Sequence, residues 1–282
     1  MSAGMIAVVW PRKRWYLLRS TSRQFSWQVF LVSSALLFAG SVALTIRWCG
    51  GMQSMRGMPM PGGWTMSMAW MRAPGERWLA SGLSFLGMWV TMMVAMMLPA
   101  LLPMLWRYRQ AMIWGGEPHP EGFTVLAALG YVSFWAICGA IVFPLGAALA
   151  AVEMRSQDIS RIVPFAAGMA VLIAGGFQLT QWKARQLACC RGEPEHGDTG
   201  PVRCVAAFRD GLGLGLQCAG CCANLMAILL VFGVMDLRAM AAITLAVTAE
   251  RLAPAGESIA RVIGALAAGF GLYMIANAAG LL

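Results

Sequence analysis

The sequence predicts an all-α fold, a polytopic transmembrane helical bundle with six or seven membrane-spanning helices. Of the 282 residues, 59% are hydrophobic and only 12% are charged, whereas about a quarter of the residues in a soluble domain are charged. Six stretches contain no Asp, Glu, Lys or Arg. Each is long enough to cross about 30 Å of hydrocarbon, for which a helix needs roughly 20 residues. The chain is therefore expected to be an integral membrane protein.

The charge-free stretches define the predicted spans in chain order. They are Gln24 to Ile46, Trp78 to Trp106, Gly122 to Val152, Ile162 to Trp182, Gly211 to Met235 and Val262 to Leu282. A seventh stretch, Ala239 to Ala249, is shorter and is either a short span or a re-entrant segment. Pro99 and Pro103 are expected to kink or end the second span near its inner face. Asp210 is expected at the start of the fifth helix, where a negative charge complements the helix dipole.

The positive charges predict the orientation. Residues 1–23 form a basic segment, which places the N-terminus in the cytoplasm. If all seven stretches cross, the N-terminus and the inside loops hold 14 of the 21 Lys and Arg residues. Residues 24–282 then form a single transmembrane domain with an outside loop at about 47–77 and a cytoplasmic loop at about 183–210. The expected location is a bacterial-type inner (plasma) membrane, and the net charge of +9 reflects topology rather than a nucleic-acid partner.

The eight cysteines do not suggest a disulfide scaffold. In this topology only Cys49 lies in an outside loop, whereas Cys189, Cys190 and Cys204 lie in the inside loop, where reducing conditions favour free thiols. Cys189 and Cys190 are adjacent and either form an inner exit pair or have no ligand role. Because no histidine lies close to them, the second interpretation is favoured.

The outside loop is rich in methionine. Seven methionines fall between Met52 and Met71, among repeated Gly and Pro residues that argue against a regular helix in the first half of the loop. Methionines exposed in such number have little packing role, so the loop is predicted to capture a metal ion. The predicted capture residues are Met52, Met55, Met58, Met60, Met66 and Met68.

Two sulfur clusters are predicted inside the membrane. Residues three and four apart share a helix face, so one cluster forms on the second span and the other on the fifth. Their members are Met92, Met93, Met96 and Met97, and Cys218, Cys221, Cys222 and Met226. The second span runs inward and the fifth runs outward, which places both clusters at comparable depth. They are ligands if they face each other and packing residues if they point apart, since Met and Cys also serve as buried hydrophobes.

The donor set favours a soft monovalent metal. Thiolate and thioether ligands select Cu(I), and the chain has only two histidines, His119 and His196, both in loops. The predicted ligand is therefore Cu(I). No catalytic residue is predicted, and the sequence lacks a GxxxxGK[ST] nucleotide-binding loop.

Four stretches resemble a known family. They are MWVTMMVAMMLPALLPML, FQLTQWKARQLACCR, FRDGLGLGLQCAGCCANLMAILLVFGVMDLRAM and TAERLAP. From about Trp64 to the C-terminus the chain resembles the uncharacterised family of predicted metal-binding integral membrane proteins, domain of unknown function 2182. That family usually has a histidine shortly before the CxGCC element and a tryptophan just after it, where this chain has Gln217 and Ala223. The resemblance implies metal binding and implies no reaction.

These observations predict an integral membrane protein that binds a soft metal ion, Cu(I), for transport or delivery. The expected partners are the lipid bilayer and a membrane or periplasmic protein, with no nucleic acid and no nucleotide. One alternative is an assembly factor or structural subunit of a membrane complex with no metal role, in which the sulfurs only pack. Another is a membrane dithiol redox protein that uses Cys218 and Cys221, although burial in the membrane raises a thiol's pKa and lowers its reactivity.

Overall fold

A computed structural model describes residues 12–54, 57–61, 64–67, 70–71, 75, 77–115, 117, 119–191 and 203–281. In these residues the chain forms eight helices and one antiparallel hairpin of two short strands. The elements are α1 Arg12–Ser54, β1 Met58–Met60, β2 Trp64–Met66, α2 Trp78–Trp114, α3 Pro120–Arg155, α4 Gln157–Gln178, α5 Gln181–Arg191, α6 Arg203–Phe232, α7 Leu237–Leu252 and α8 Gly256–Ala278. The helical fold predicted from the sequence is confirmed.

Six helices in the described part of the chain are long and apolar enough to cross a membrane. The segments are Trp27–Gly51, Trp78–Trp114, Pro120–Arg155, Gln157–Gln178, Cys204–Phe232 and Gly256–Ala278. The seventh stretch of the prediction falls in α7, a helix of 16 residues, which is shorter than a standard span. The chain is thus a membrane-spanning protein by the length and composition of its helices.

The loop that the sequence predicts on the outside begins later in the chain than expected. Helix α1 continues to Ser54, so the expectation that no regular helix forms in the first half of the loop is wrong for residues 47–54. Cys49 is buried, and its sulfur lies 3.9 Å from that of Met235. Packing of the last turns of α1 therefore outweighs the low helix propensity of Gly50 and Gly51. After α1 the chain forms the β1–β2 hairpin, in which Met58 is paired with Met66.

Two helix ends also differ from the prediction. Helix α2 continues through Pro99 and Pro103 to Trp114, so these prolines do not end the span. A transmembrane helix tolerates the backbone hydrogen bonds lost at proline because neighbouring helices satisfy the freed polar groups. Helix α6 begins at Arg203, so Asp210 lies inside the helix rather than at its start. Its carboxylate accepts a hydrogen bond of 3.2 Å from the hydroxyl of Tyr108, and the helix-dipole interpretation of Asp210 is wrong.

Helix α7 folds back along α6. Gly233 adopts φ +104°, which only glycine accepts readily, and Asp236 caps α7 by accepting the backbone N–H of Arg238 at 2.8 Å. At its other end α7 brings Arg251 to Cys218 on α6, and α8 then starts where Ala260 packs with Cys221. The turn between α7 and α8 therefore lies level with the cysteines of α6.

Candidate metal centre

Cys218 and Cys222 lie on the face of α6 that contributes to the main hydrophobic core. Both side chains are fully buried, and they share the largest buried cluster with the methionines of α2. The Sγ atom of Cys218 lies 3.9 Å from the Sδ atom of Met97. The two predicted sulfur clusters therefore meet, and the contact joins a thiol of α6 to a thioether of α2.

Close helix packing fixes the position of Cys218. Gly211 on α6 lies directly against the backbone carbonyl of Ala127 on α3, where a Cβ atom could not be accommodated. This approach brings Tyr131 of α3 to the thiol, and its hydroxyl donates a 3.0 Å hydrogen bond to the Cys218 sulfur. The small residue thus sets the distance between the helices, and the tyrosine orients the sulfur.

A buried cation lies beside the same sulfur. Arg251, at the end of α7, is buried, and its Nη1 atom lies 3.4 Å from the Sγ atom of Cys218. Its Nη2 atom is also buried and has no hydrogen-bond partner among the described residues. A guanidinium in such surroundings requires a compensating negative charge, and the neighbouring groups able to supply it are thiols.

The adjacent carboxylate is engaged elsewhere. Glu250 and Lys183 form an ion pair of 2.7 Å, and both side chains are only 1% exposed. Glu250 also accepts a 2.6 Å hydrogen bond from the Gln178 amide, whose oxygen accepts a hydrogen bond from Asn224. Lys183 in turn donates to the backbone carbonyl of Cys221. This polar network ties α4, α5 and α7 to the cysteine-bearing turns of α6.

The structure separates Cys221 from its neighbours in the CxxCC element. Cys221 lies in a second, smaller buried cluster with Leu187, Cys190 and Ala260. Cys218 and Cys221, the C-x2-C pair of the redox alternative, therefore lie in different clusters. Within the described residues, no three His, Cys, Asp or Glu side chains are grouped so that they could hold a metal ion. The thioether of Met97, in contact with Cys218, is a further sulfur donor beside these cysteines.

The remaining predicted ligands within the membrane are all buried. Met92, Met93, Met96 and Met226 belong to the same core cluster as Cys218 and Cys222. Their burial in this cluster is compatible with either ligation or packing. Trp89, one turn before Met92, is anchored on α3, where its indole N–H donates a 2.9 Å hydrogen bond to the carbonyl of Trp135.

The predicted capture loop is described only in part. Met58 is exposed, Met60 is half-buried and Met66 is only 2% exposed. Met55, Met68 and the side chain of Met52 lie outside the described residues. Met66 and Met235 line a cleft of about 1140 Å³ beneath the hairpin, between α3, α4 and the α6–α7 turn. The loop therefore includes both a methionine open to solvent and one at an internal cleft.

Several polar residues around the cysteines were not predicted from the sequence. They are Tyr131, Gln178, Lys183, Asn224, Glu250 and Arg251. Glu250 and Arg251 directly follow the seventh predicted stretch, Ala239 to Ala249. The missed signal is an ionisable or amide side chain within or beside an apolar stretch, which in a membrane protein marks a functional site.

Comparison with known proteins connects the chain to a copper-related family. Residues 86–274, about two thirds of the chain, match the family PpoB2, described as a copper chaperone. This range includes all the cysteines and polar groups of the cluster described above. No curated protein and no solved structure was found to match the chain. The match supports a metal-linked family, whereas the specific assignment to domain of unknown function 2182 stays a prediction. The chain belongs to the PpoB2 copper chaperone family.

Proposed function

We propose that this protein binds Cu(I) inside the membrane between Cys218, Cys222 and Met97 and delivers it to a partner protein. The observation that carries the proposal is the contact of a fully buried thiol with a fully buried thioether beside an Arg that lacks a carboxylate partner in the described chain. Two thiolates and a thioether form a soft donor set, which selects Cu(I) over harder cations.

The charges of the site support a monovalent ion. Metal binding requires deprotonated thiols, so Cu(I) with the thiolates of Cys218 and Cys222 carries a net charge of −1. The guanidinium of Arg251 beside Cys218 neutralises that charge. With a divalent ion such as Zn²⁺ the same assembly carries +1. An unbalanced charge is costly in a buried site, and the site therefore favours Cu(I).

The depth of the site fits a protein that spans the membrane. Trp106 on α2 packs edge-on against Trp27 of α1, with ring centroids 4.3 Å apart, as interfacial aromatic residues do. Gly87 on α2 lies against Trp48, near the other end of the α1 span. At a rise of 1.5 Å per residue, Gly87 and Trp106 are about 29 Å apart, close to the hydrocarbon thickness. Met97 lies between them, about 13 Å from Trp106.

The orientation follows from the positive charges. With residues 1–23 in the cytoplasm, the β1–β2 hairpin faces the outside of a bacterial-type inner membrane. Met58, Met60 and Met66 then capture Cu(I) before it enters. Met92, Met93 and Met96 are buried with Met97 along α2 and offer thioether ligands between the hairpin and the cysteines. Met226 lies one turn beyond Cys222 and supplements the site.

The test is the Cu(I) affinity of the purified full-length protein under anaerobic conditions, measured by competition with bathocuproine disulfonate. The wild type is expected to bind one Cu(I). Changing Cys218 and Cys222 to Ser should weaken binding at least 100-fold, whereas the matched control Cys138→Ser/Cys204→Ser should bind like the wild type. The control thiols are half-buried and exposed, respectively. Equal affinity of all three proteins would refute the site. Absence of Cu(I) binding by a folded wild type would favour the alternative of a structural subunit.

A further inference from the structure

We infer that Cys190 and Cys221 form a second Cu(I) site, which takes the ion from Cys218 and Cys222 and presents it for release on the side of α5. This inference rests on the proposed function. The second site is not the adjacent pair Cys189 and Cys190, because Cys189 is exposed whereas Cys190 and Cys221 are both buried.

The two thiols are already held together. Cys190 lies on α5 and Cys221 on α6, and both side chains belong to one small buried cluster. The Cys190 thiol also donates a 3.2 Å hydrogen bond to the carbonyl of Gln217. Lys183 binds the carbonyl of Cys221 and pairs with Glu250, which holds α5 against α6. Cu(I) is stable with two thiolate ligands, so this pair suffices to bind it.

The geometry of α6 makes the two sites neighbours. Cys221 and Cys222 are consecutive residues, and consecutive side chains on a helix point about 100° apart. Cys222 therefore belongs to the core cluster with Met97, and Cys221 belongs to the cluster with Cys190. An ion that passes from Cys222 to Cys221 moves from the α2 side of the helix to the α5 side.

One cation serves both thiol pairs. The guanidinium of Arg251 contacts Cys218 at 3.4 Å, and Cys221 follows Cys218 by about one turn of α6. Each pair carries a net charge of −1 when it holds Cu(I) as thiolates, and Arg251 neutralises whichever pair is loaded. Because Lys183 is already neutralised by Glu250, two loaded pairs would leave a buried negative charge. The arrangement therefore favours one ion shared between two positions.

The transfer needs no oxidant or reductant. The Cu–S bonds to Cys218, Cys222 and the neutral Met97 thioether break as two Cu–S bonds to Cys190 and Cys221 form. The two thiol protons of the receiving pair move to the sulfurs of the donating pair, so charge and proton count are conserved. The ion stays Cu(I) throughout.

A release route lies beside the second pair. Leu187 and Ala260 pack with Cys190 and Cys221, and both also line a cleft of about 370 Å³ between α5 and α8. Its rim carries Arg185 and the exposed ion pair of Glu257 and Arg261, whose N–O distance is 3.5 Å. Leu187 and Ala260 therefore border both the thiol pair and this cleft. A thiol-bearing Cu(I) acceptor that docks on the α5 face can therefore reach the ion.

The test compares Cu(I) affinity with the rate of Cu(I) release. Full-length protein in detergent is loaded anaerobically with one equivalent of Cu(I), bathocuproine disulfonate is added in excess, and the absorbance of its Cu(I) complex is followed. The variant Cys190→Ser/Cys221→Ser should keep the wild-type affinity within about three-fold and release copper at least ten-fold more slowly. The control Cys189→Ser, which changes an exposed neighbouring thiol, should release copper at the wild-type rate.

Each outcome separates the two proposals. Wild-type release kinetics in a folded Cys190→Ser/Cys221→Ser variant would overturn the second site and leave the first intact. If this double variant unfolds, as shown by thermal melting, the single variant Cys190→Ser is used, because Cys190 lies on α5 outside the core cluster. Failure of the wild type to bind Cu(I) would instead refute the proposed function itself.

Discussion

Removal of either partner of the buried ion pair between Lys183 and Glu250 should destabilise the protein strongly. Both side chains are 1% exposed, and the carboxylate of Glu250 contacts Lys183 at 2.7 Å and the Gln178 amide at 2.6 Å. Changing Lys183 to Met leaves a buried carboxylate without its cation. The loss of one partner of a buried pair costs about 3–5 kcal/mol. The single variants Lys183→Met and Glu250→Gln should therefore each lower the free energy of unfolding by about that amount.

The double variant makes this prediction specific. In Lys183→Met/Glu250→Gln both charges are removed, so its destabilisation should be smaller than the sum of the two single effects by about 2 kcal/mol or more. The assay is equilibrium unfolding in detergent followed by tryptophan fluorescence. The control is Glu257→Gln, which breaks the exposed pair with Arg261 and should change stability by less than about 0.5 kcal/mol. Additive effects, or single variants as stable as the control, would refute the assignment of a coupled buried pair.

Three further predictions concern the cysteine cluster. Arg251→Met should lower Cu(I) affinity and improve binding of Zn²⁺ relative to Cu(I), whereas Arg251→Lys should keep the preference for Cu(I). A metal competition titration measures the affinity and the preference of each variant. An unchanged preference in Arg251→Met would contradict the role of Arg251 in balancing the charge of the site. Tyr131→Phe removes the 3.0 Å hydrogen bond to Cys218 and should weaken Cu(I) binding about ten-fold by the same titration, as loss of an outer-shell partner does. Gly211→Ala places a methyl group against the Ala127 carbonyl and should destabilise the protein by about 1–3 kcal/mol. The control Gly213→Ala should not destabilise the protein, because the space around Gly213 is open. Equal thermal unfolding of both variants would contradict the close approach of α3 and α6.

The sequence predicted the spans well because the bilayer imposes a simple rule. A helix that crosses hydrocarbon must be long, apolar and free of unpaired charge, and such stretches are visible without any three-dimensional knowledge. The residues at which the helices end were less predictable. The end of α1 depends on the contact of Cys49 with Met235, and the length of α2 depends on neighbours that tolerate Pro99 and Pro103. These are tertiary effects, which local composition does not contain.

The candidate site was predicted in part for a similar reason. Helical spacing and the direction of each span placed Met97 and Cys218 at the same depth, and the structure shows them in contact. Spacing could not show that Cys221 packs toward Cys190, because this depends on where α5 docks against α6. The approach of Arg251 to Cys218 likewise depends on the reversal of the chain at Gly233.

The central claim is that two cysteine thiolates and a methionine thioether hold Cu(I) within the membrane-spanning helices. Copper X-ray absorption spectroscopy of the anaerobically loaded full-length protein tests it most directly. The account predicts Cu(I) with sulfur ligands only, and loss or marked change of this signal in Cys218→Ser/Cys222→Ser. A first coordination shell of nitrogen or oxygen in the wild type, or an identical spectrum from the variant, would contradict it.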